Sequence, residues 1–248
     1  MPVKIGLFIP CYIDQFYPQV GIATLELLEK LGCRVEYPAG QTCCGQPMAN
    51  TGCEQDATTT YQHFVQLFHA FDYVVAPSGS CVYHVRKHYD IIEQTEEVKR
   101  VRKNTLDLAE FLLDVLQVKR LEARFPHKVG LHQSCHGLRG LRLGSGSERI
   151  LEPSSKLNTL LRMVAGIELV ELTRADECCG FGGTFAINEP AISVKMGKDR
   201  IADHERQGVE VLTAGDMSCL MHLEGIIRRQ RKTIQVKHIA EILNGASL

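Results

Sequence analysis

Cys178-Cys179-Gly180-Phe181-Gly182-Gly183 is the stretch that reveals how the chain is organised. A related stretch that also begins Cys-Cys-Gly occurs earlier, at Cys43-Cys44-Gly45-Gln46-Pro47. In the first copy 31 residues separate a single cysteine from the pair, and 35 residues separate the glycine of the pair from the next cysteine; in the second copy these intervals contain 42 and 38 residues. Eight of the ten cysteines thus form two matching sets of four. The first quartet is Cys11, Cys43, Cys44 and Cys81, and the second quartet is Cys135, Cys178, Cys179 and Cys219.

The repeat extends beyond the cysteines. Val129-Gly130-Leu131 before Cys135 parallels Ile5-Gly6-Leu7 before Cys11, and Ser218-Cys219 parallels Ser80-Cys81. A duplicated unit is the simplest explanation, and a length of 248 residues suits two modest domains. We predict a first cysteine-rich domain over residues 1–122 and a second over residues 123–248, with residues 119–128 as the linker between them.

Short apolar runs alternate with helix-like patterns along both halves. We predict strands at residues 3–9, 33–37 and 73–76 and again at 129–132, 167–172 and 209–213. Residues 106–118 are apolar enough for a packed helix, and the glycine-rich residues 137–147 suggest a flexible surface loop. The pattern favours an α/β fold with two pseudo-symmetric domains, each a small, mostly parallel sheet flanked by helices. Functional groups collect at the carboxyl ends of such strands, which is where four of the cysteines stand.

Composition narrows the class of protein. The formal net charge is -1 and the sequence pI is about 6.8, so we expect neither a nucleic-acid partner nor a membrane-surface partner. The apolar run near the N-terminus is shorter than an export signal, and no run approaches the roughly 20 apolar residues of a membrane span. We therefore expect a cytoplasmic protein, in which ten cysteines indicate metal or redox chemistry rather than disulfides.

Each quartet offers four soft sulfur donors. A glycine after each pair can adopt positive φ, which lets both sulfurs turn toward one centre while backbone N–H groups point at them. The eight quartet cysteines are therefore our candidate cofactor-binding and metal-binding residues, for one or two iron–sulfur clusters of the 4Fe–4S type. The alternative is Zn²⁺ in a structural or scaffold role, although closely spaced zinc-binding pairs are absent. A third possibility is a thiol–disulfide enzyme that uses the adjacent cysteines directly.

Several other polar groups lie near these cysteines in the sequence. His84 and His222 each follow a quartet cysteine by three residues, so they are either further ligands, donors to cluster sulfur or simple helix-surface histidines. His136, Arg139 and Arg142 either clamp a substrate carboxylate or belong to a solvated loop. Cys33 and Cys53 have no counterpart in the other half, and we assign them to packing. No glycine-rich dinucleotide motif follows the first strand, so NAD or flavin is not expected, and catalytic residues remain unassigned.

The doubled motif resembles the cysteine-rich domain family, also called the CCG family. Its members include the cysteine-rich subunit of heterodisulfide reductase and the iron–sulfur subunit of glycolate oxidase, and the resemblance covers essentially the whole chain. The length, and the absence of a ferredoxin-type cysteine segment, most resemble the branch of the family that acts in lactate utilization. One departure concerns the last motif, which ends in two cysteines in the heterodisulfide reductases. Here Ser78 and Asp216 stand at the first of those positions, which favours a four-thiolate cluster and leaves an oxygen ligand as an option.

The resemblance implies an oxidoreductase subunit. Such a chain would belong to a cytoplasmic complex that oxidises L-lactate, a small 2-hydroxy acid, to pyruvate and transfers electrons through thiolate-bound clusters. Its partners would be a protein with ferredoxin-type iron–sulfur clusters and a third, small subunit. The residues themselves support electron transfer through bound metal and are silent about lactate.

Overall fold

The computed structural model describes residues 3–248. The first half contains, in chain order, β1 (Lys4–Leu7), α1 (Cys11–Phe16), α2 (Pro18–Lys30), β2 (Arg34–Glu36), α3 (Gln46–Asn50), α4 (Thr58–Phe68), β3 (Tyr73–Ala76), α5 (Gly79–His88), α6 (Glu96–Asn104), β4 (Thr105–Asp107) and α7 (Leu108–Glu110). Short 3₁₀ turns lie at Glu54–Ala57 and Tyr89–Ile91, and a π-helical turn at Phe111–Val115 extends α7.

The second half follows the same order. It contains β5 (Lys128–Leu131), a π-helical turn (His136–Gly140), a 3₁₀ turn (Ser147–Arg149), α8 (Lys156–Leu161), β6 (Glu168–Val170), α9 (Phe185–Asn188), α10 (Pro190–Arg206), β7 (Val211–Ala214), α11 (Met217–Arg229), β8 (Gln235–His238) and α12 (Ile239–Leu243). Within residues 3–248 no helix is both long and apolar enough to cross a membrane.

Two four-stranded parallel sheets form the centre of the molecule. The strand orders are β2-β1-β3-β4 and β6-β5-β7-β8, and every pairing is parallel. Their central strands are short apolar runs because both faces of each sheet are covered by helices; Val211–Ala214, for example, is buried throughout. The predicted α/β fold with two pseudo-symmetric, helix-flanked sheets is confirmed.

One large apolar cluster spans the two halves, and a second cluster lies within the first half. α12 of the second half packs against α2 of the first, and α7 of the first half packs against α8 of the second. Leu28 and Leu112 from the first half therefore lie in the same cluster as Leu160 and Leu243 from the second. The division at residues 122 and 123 remains a proposal, since this shared core crosses it.

The prediction of a flexible loop at residues 137–147 is wrong. Leu138 and Leu143 are buried, and the π-helical turn at His136–Gly140 packs against α5 of the first half. The glycines allow close approach: a Cβ added at Gly140 would lie 2.6 Å from the Tyr83 ring, and one added at Gly79 would lie 3.1 Å from the Gly137 Cα. The eleven-residue expansion of the second half is thus an inter-half contact.

Two further expectations need correction. The supposed linker is packed on the second half, because Phe125 is buried and its N–H donates to the Ala165 carbonyl at 2.9 Å. The helix predicted over residues 106–118 instead begins as β4, which pairs with β3, before α7 and its π-helical turn. Pairing with β3 is a tertiary interaction that overrides the helix-like pattern of apolar residues in this stretch.

Candidate metal centre

The quartet cysteines collect at the carboxyl edges of the two sheets. Cys11 begins α1 just after β1, and Cys81 lies in the first turn of α5 just after β3. β1 and β3 are neighbours in the sheet, so their following loops meet at one edge. The Cys43-Cys44 pair arrives from the loop after β2, on the other side of β1. In the second half β5, β6 and β7 deliver the cysteines in the same way.

The first quartet converges to within sulfur–sulfur contact. The Cys11 and Cys43 Sγ atoms are 3.7 Å apart, and the Cys44 thiol lies next to both Cys43 and Cys81. Gly45 has a φ of 89°, and its N–H donates to the Cys43 Sγ at 3.3 Å. The expected turn, with a glycine in the left-handed region and an N–H group directed at sulfur, is therefore present.

The second quartet repeats this arrangement. Cys178 accepts hydrogen bonds from the Cys135 and Cys179 thiols, and Cys179 also contacts Cys219. Gly180 has a φ of 88° and donates its N–H to the Cys178 Sγ at 3.3 Å. A second N–H, from Phe181, donates to the Cys179 Sγ at 3.4 Å.

Each quartet holds one preferred thiolate. Hydrogen bonds from Cys11 and then Cys44 lower the pKa of Cys43 to about 3 against the effect of burial. In the second half, hydrogen bonds from Cys135 and then Cys179 lower the pKa of Cys178 to about 2. Donating these hydrogen bonds raises the pKa of Cys11 and that of Cys135. A bound metal would displace the remaining thiol protons, because the thiolate is the ligand form.

A single cavity joins the two quartets. It has a volume of about 480 Å³ and is lined by all eight quartet cysteines. Tyr12 from α1 and Phe181 from the second half form part of its wall, with ring centroids 6.1 Å apart across the two halves. Ile187, with 77% of its side chain exposed, lies at the solvent side of this lining. The two cysteine quartets therefore face one shared, partly apolar space.

Asp216 and Ser78 meet each other where the two halves join. The buried Asp216 carboxylate accepts hydrogen bonds from the Ser78 hydroxyl at 2.9 Å and from the Ser80 N–H at 3.0 Å, both in the first half. Its second oxygen accepts from the Ser134 hydroxyl. The equivalent positions of the repeat thus form a bridge between halves, and their polar atoms are already engaged with each other rather than presented as oxygen ligands.

The two helix histidines are also engaged by protein groups. His84 is buried, its Nε2 is 3.0 Å from the Tyr61 hydroxyl, and its ring stacks on His88. His222 is half-buried, with Nε2 3.3 Å from the Ser193 carbonyl oxygen. Burial lowers the pKa of His84 to about 3, with the His88 charge adding to the effect. Neither residue is a simple surface histidine.

The three basic residues after Cys135, namely His136, Arg139 and Arg142, lie in different surroundings. Arg139 binds the Glu148 carboxylate through two hydrogen bonds of 3.0 Å and also reaches Asp176, so internal carboxylates occupy it. Arg142 is exposed beside a basic surface groove, and only His136 lines the cysteine cavity. The three residues therefore do not form a joint carboxylate clamp.

Sequence reasoning missed His132. Its side chain is fully buried at the end of β5, and one ring nitrogen lies within 4.8 Å of the Cys179 and Cys219 sulfurs. Burial, followed by the Arg200 charge, lowers the pKa of His132 to about 3, so the imidazole is neutral at pH 7. The repeat could have revealed it: the two strand sequences before Cys11 and Cys135 are similar, but His132 stands at the position of Phe8.

The donor set fits a soft metal centre. Sulfur dominates both ends of the cavity, and the nearby Asp216 carboxylate is held by hydroxyl and N–H donors. Thiolates of this kind suit iron–sulfur clusters or Zn²⁺ rather than Mg²⁺ or Ca²⁺. The remaining two cysteines lie outside the cavity lining: Cys33 packs beside the core as expected, whereas Cys53 is exposed, so its assignment to packing is wrong.

Comparison with solved structures agrees with the fold. A hypothetical protein from Helicobacter pylori superimposes with a TM-score of 0.56 at 11% sequence identity. The alignment covers 100% of this chain and 50% of that chain, so the present chain spans about half of that structure. At this identity the similarity concerns the fold alone.

Comparison with known sequences adds the family. The model of the CCG cysteine-rich domain matches residues 5–86 and again residues 129–224. The chain is 39% identical over 246 residues to lactate utilization protein A of Halalkalibacterium halodurans, covering 98% of this chain and 97% of that protein. It is 41% identical to lactate utilization protein A of Geobacillus thermodenitrificans, over 98% of this chain and 99% of the relative. The chain therefore belongs to the cysteine-rich CCG domain family and is similar along nearly its whole length to lactate utilization protein A.

Proposed function

We propose that this chain is the iron–sulfur subunit of a cytoplasmic oxidoreductase complex that oxidises L-lactate to pyruvate. The observation that carries the proposal is the convergence of eight cysteine side chains on one cavity, four from each half. The name of its relatives, lactate utilization protein A, supports the substrate. A protein with ferredoxin-type clusters and a small third subunit are the proposed partners.

The residues of this chain would hold the cofactor and shield it. Cys11, Cys43, Cys44 and Cys81 would bind one centre, and the second quartet would bind the other. An iron–sulfur cluster would supply one-electron chemistry at each position, and its potential would respond to nearby hydrogen bonds. The N–H groups of Gly45 and Gly180 already donate to sulfur and would stabilise negative charge there.

In this scheme the cavity between the quartets is the proposed binding place of the substrate. Lactate loses two electrons and two protons when it becomes pyruvate; a ferredoxin-type partner would receive the electrons one at a time, and the protons would pass to water. A space of about 480 Å³ lies between the quartets and is large enough for a small 2-hydroxy acid. The Tyr12 and Phe181 rings would limit the access of water to it.

The composition of the purified protein tests the proposal. Protein prepared without air should be brown, absorb near 400 nm and contain iron and acid-labile sulfide. Cys179→Ser should lower the iron and sulfide content, because Cys179 is buried within the second quartet. The matched control is Cys53→Ser, which changes an exposed cysteine outside the cavity and should leave both contents unchanged. Colourless wild-type protein with stoichiometric zinc would contradict the proposal.

Zinc binding is the second candidate because one distance favours it. Tetrahedral Zn²⁺ with Zn–S bonds of about 2.3 Å places its sulfurs about 3.8 Å apart. The Cys11 and Cys43 sulfurs are separated by 3.7 Å. In this case Cys179→Ser would lower stability and zinc content without changing any redox signal.

A further inference from the structure

Phe8 and His132 occupy equivalent positions in the two halves. Each residue directly follows the central strand that leads to the first cysteine of its quartet. The Phe8 N–H donates to the Val75 carbonyl at 3.0 Å, and the His132 N–H donates to the Thr213 carbonyl at 2.7 Å. Both side chains are fully buried. The repeat therefore offers an internal comparison of one apolar and one polar side chain beneath a quartet.

The surroundings of these two residues have changed together. In the first half Phe8 contacts Phe64 and Phe68 of α4, with ring centroids 4.9 and 5.9 Å away. In the second half Arg200 and His204 of α10 have the same four-residue spacing and are fully buried. A Cβ added at Gly6 would meet Phe68, and one added at Gly130 would meet His204, which supports this equivalence. The second half therefore has a polar cluster at the place where the first half has an aromatic one.

The polar cluster is incompletely hydrogen-bonded by the chain. Among residues 3–248, neither ring nitrogen of His132 has a hydrogen-bond partner, and the same holds for both ring nitrogens of His204. The Arg200 Nε and Nη2 atoms also lack partners there. Burying such a group without a partner costs about 1–3 kcal/mol, so an unpaired cluster of this size requires a compensating ligand or water.

The surroundings of His132 indicate that the missing partner is a metal centre. One nitrogen of His132 and the sulfurs of Cys179 and Cys219 all lie within 4.8 Å of one another. Phe8 at the equivalent place in the first half has no donor atom. Of the other histidines near the quartets, His84 and His222 are directed at the Tyr61 hydroxyl and the Ser193 carbonyl, and His136 lines the cavity next to Cys135.

We propose that His132 is a nitrogen ligand of the metal centre in the second quartet, where it takes the place of one of the four thiolates. The first quartet, with Phe8 at the equivalent place, binds its centre through sulfur alone. The two centres are therefore chemically unequal. This inference rests on the proposed function, in which both centres are iron–sulfur clusters.

Unequal ligands have a consequence for electron flow. Imidazole is neutral where thiolate is negative, and histidine ligation raises the reduction potential of an iron–sulfur centre relative to all-cysteine ligation. The second centre is thus the more easily reduced one. Electrons that enter the chain at the first centre would pass to the second, because the second has the higher reduction potential.

Pulsed EPR of the reduced, iron-loaded full chain tests the ligand. Wild-type protein should show strong coupling to a histidine nitrogen, and labelling with ¹⁵N-histidine should change that coupling to the ¹⁵N pattern. His132→Phe, which introduces the residue of the first half, should abolish the coupling. The control His222→Gln removes a histidine beside the same quartet while keeping a hydrogen-bonding side chain, and it should retain the coupling.

The outcomes separate this inference from the proposed function. Normal iron and sulfide contents without histidine coupling in the wild type would overturn the His132 ligand alone, as would coupling that persists in His132→Phe. Absence of iron and sulfide would overturn the proposed function, and the inference with it. The ¹⁵N experiment uses wild-type protein, so a variant that fails to fold does not prevent the test.

Discussion

At the scale of single residues, Asp216 connects the two halves of the molecule. Its buried carboxylate accepts hydrogen bonds from Ser78, Ser80 and Ser134. Asp216→Asn replaces one accepting oxygen with an N–H donor that faces other donors. We expect a loss of about 1–3 kcal/mol in the free energy of unfolding, measured by urea denaturation at equal metal content.

The control for this variant is Asp199→Asn, which changes a partly exposed carboxylate whose ion-pair partner among residues 3–248 is Lys195. Surface changes of this kind alter stability by less than about 0.5 kcal/mol. Equal unfolding free energies for the two variants would contradict a bridging role for Asp216.

Asp107 gives the stability a definite pH dependence. Burial raises the pKa of Asp107 from 3.8 to about 8, against the lowering effect of the Ala109 N–H group; the charges of Asp216 and Glu110 raise it further and that of Arg86 opposes them. Between pH 3.8 and about 8 the folded protein binds more protons than the unfolded chain. The stabilisation that protonated Asp107 contributes is therefore fully present below pH 3.8 and is lost as the pH rises toward 8.

Asp107→Asn keeps the side-chain oxygen that accepts from the Ala109 N–H and removes the ionisation. The variant should lose less unfolding free energy than the wild type between about pH 5 and pH 8, by at most about 1.4 kcal/mol per pH unit. Urea denaturation at several pH values measures the difference. Parallel stability curves for the two proteins would show that Asp107 does not titrate in this range.

At the scale of elements, the glycine turns shape the quartets. Gly180 has a φ of 88°, and a Cβ there would lie 2.6 Å from the Ser193 carbonyl oxygen. Gly52 has a φ of 84°, with no heavy atom within 4 Å of an added Cβ. Both Gly→Ala variants incur left-handed strain of about 1–2 kcal/mol. Gly180→Ala should lose more stability than Gly52→Ala, and it alone should also lose metal, because the turn carries Cys178 and Cys179.

Metal content and urea denaturation of both variants check this expectation. Equal losses of stability, together with unchanged metal binding in Gly180→Ala, would mean that the turn can relax without moving the sulfurs.

Local patterns predicted most of the central elements. The strand at 73–76 has its predicted bounds, and the strand predicted at residues 129–132 lies at Lys128–Leu131. These segments were accessible because strong apolar runs or periodicity stand beside clear proline and glycine signals. β4 and β8 escaped prediction: β4 opens an apolar stretch with a helix-like pattern, β8 has one apolar residue, Val236, and each becomes a strand through pairing with a neighbour. Their identity depends on that pairing rather than on their own residues.

At the scale of the whole molecule, the shared core predicts cooperative unfolding. Leu243 of α12 is 2% exposed and lies in the cluster that spans both halves. Leu243→Ala should lower the free energy of unfolding by about 2–5 kcal/mol and shift a single transition that includes both halves. Urea denaturation followed by far-ultraviolet circular dichroism and tyrosine fluorescence measures this. Leu248→Ala, at a side chain 46% exposed, is the control and should change little.

Two separate transitions, with only the second half affected by Leu243→Ala, would contradict this view. They would mean that α12 stabilises its own half and that the contact with α2 contributes little.

The α/β class, the duplication and the grouping of the cysteines could all be predicted from the amino-acid order. These depend on the order of residues, on local hydrophobic patterns and on the soft chemistry of sulfur, all of which can be read along the chain. The tertiary structure alone decided that the quartets face one cavity, that Asp216 joins Ser78, and that His132 lies beside Cys179 and Cys219. The physical reason is that these contacts are made between distant segments, and their geometry is set by how the two sheets pack around a common core.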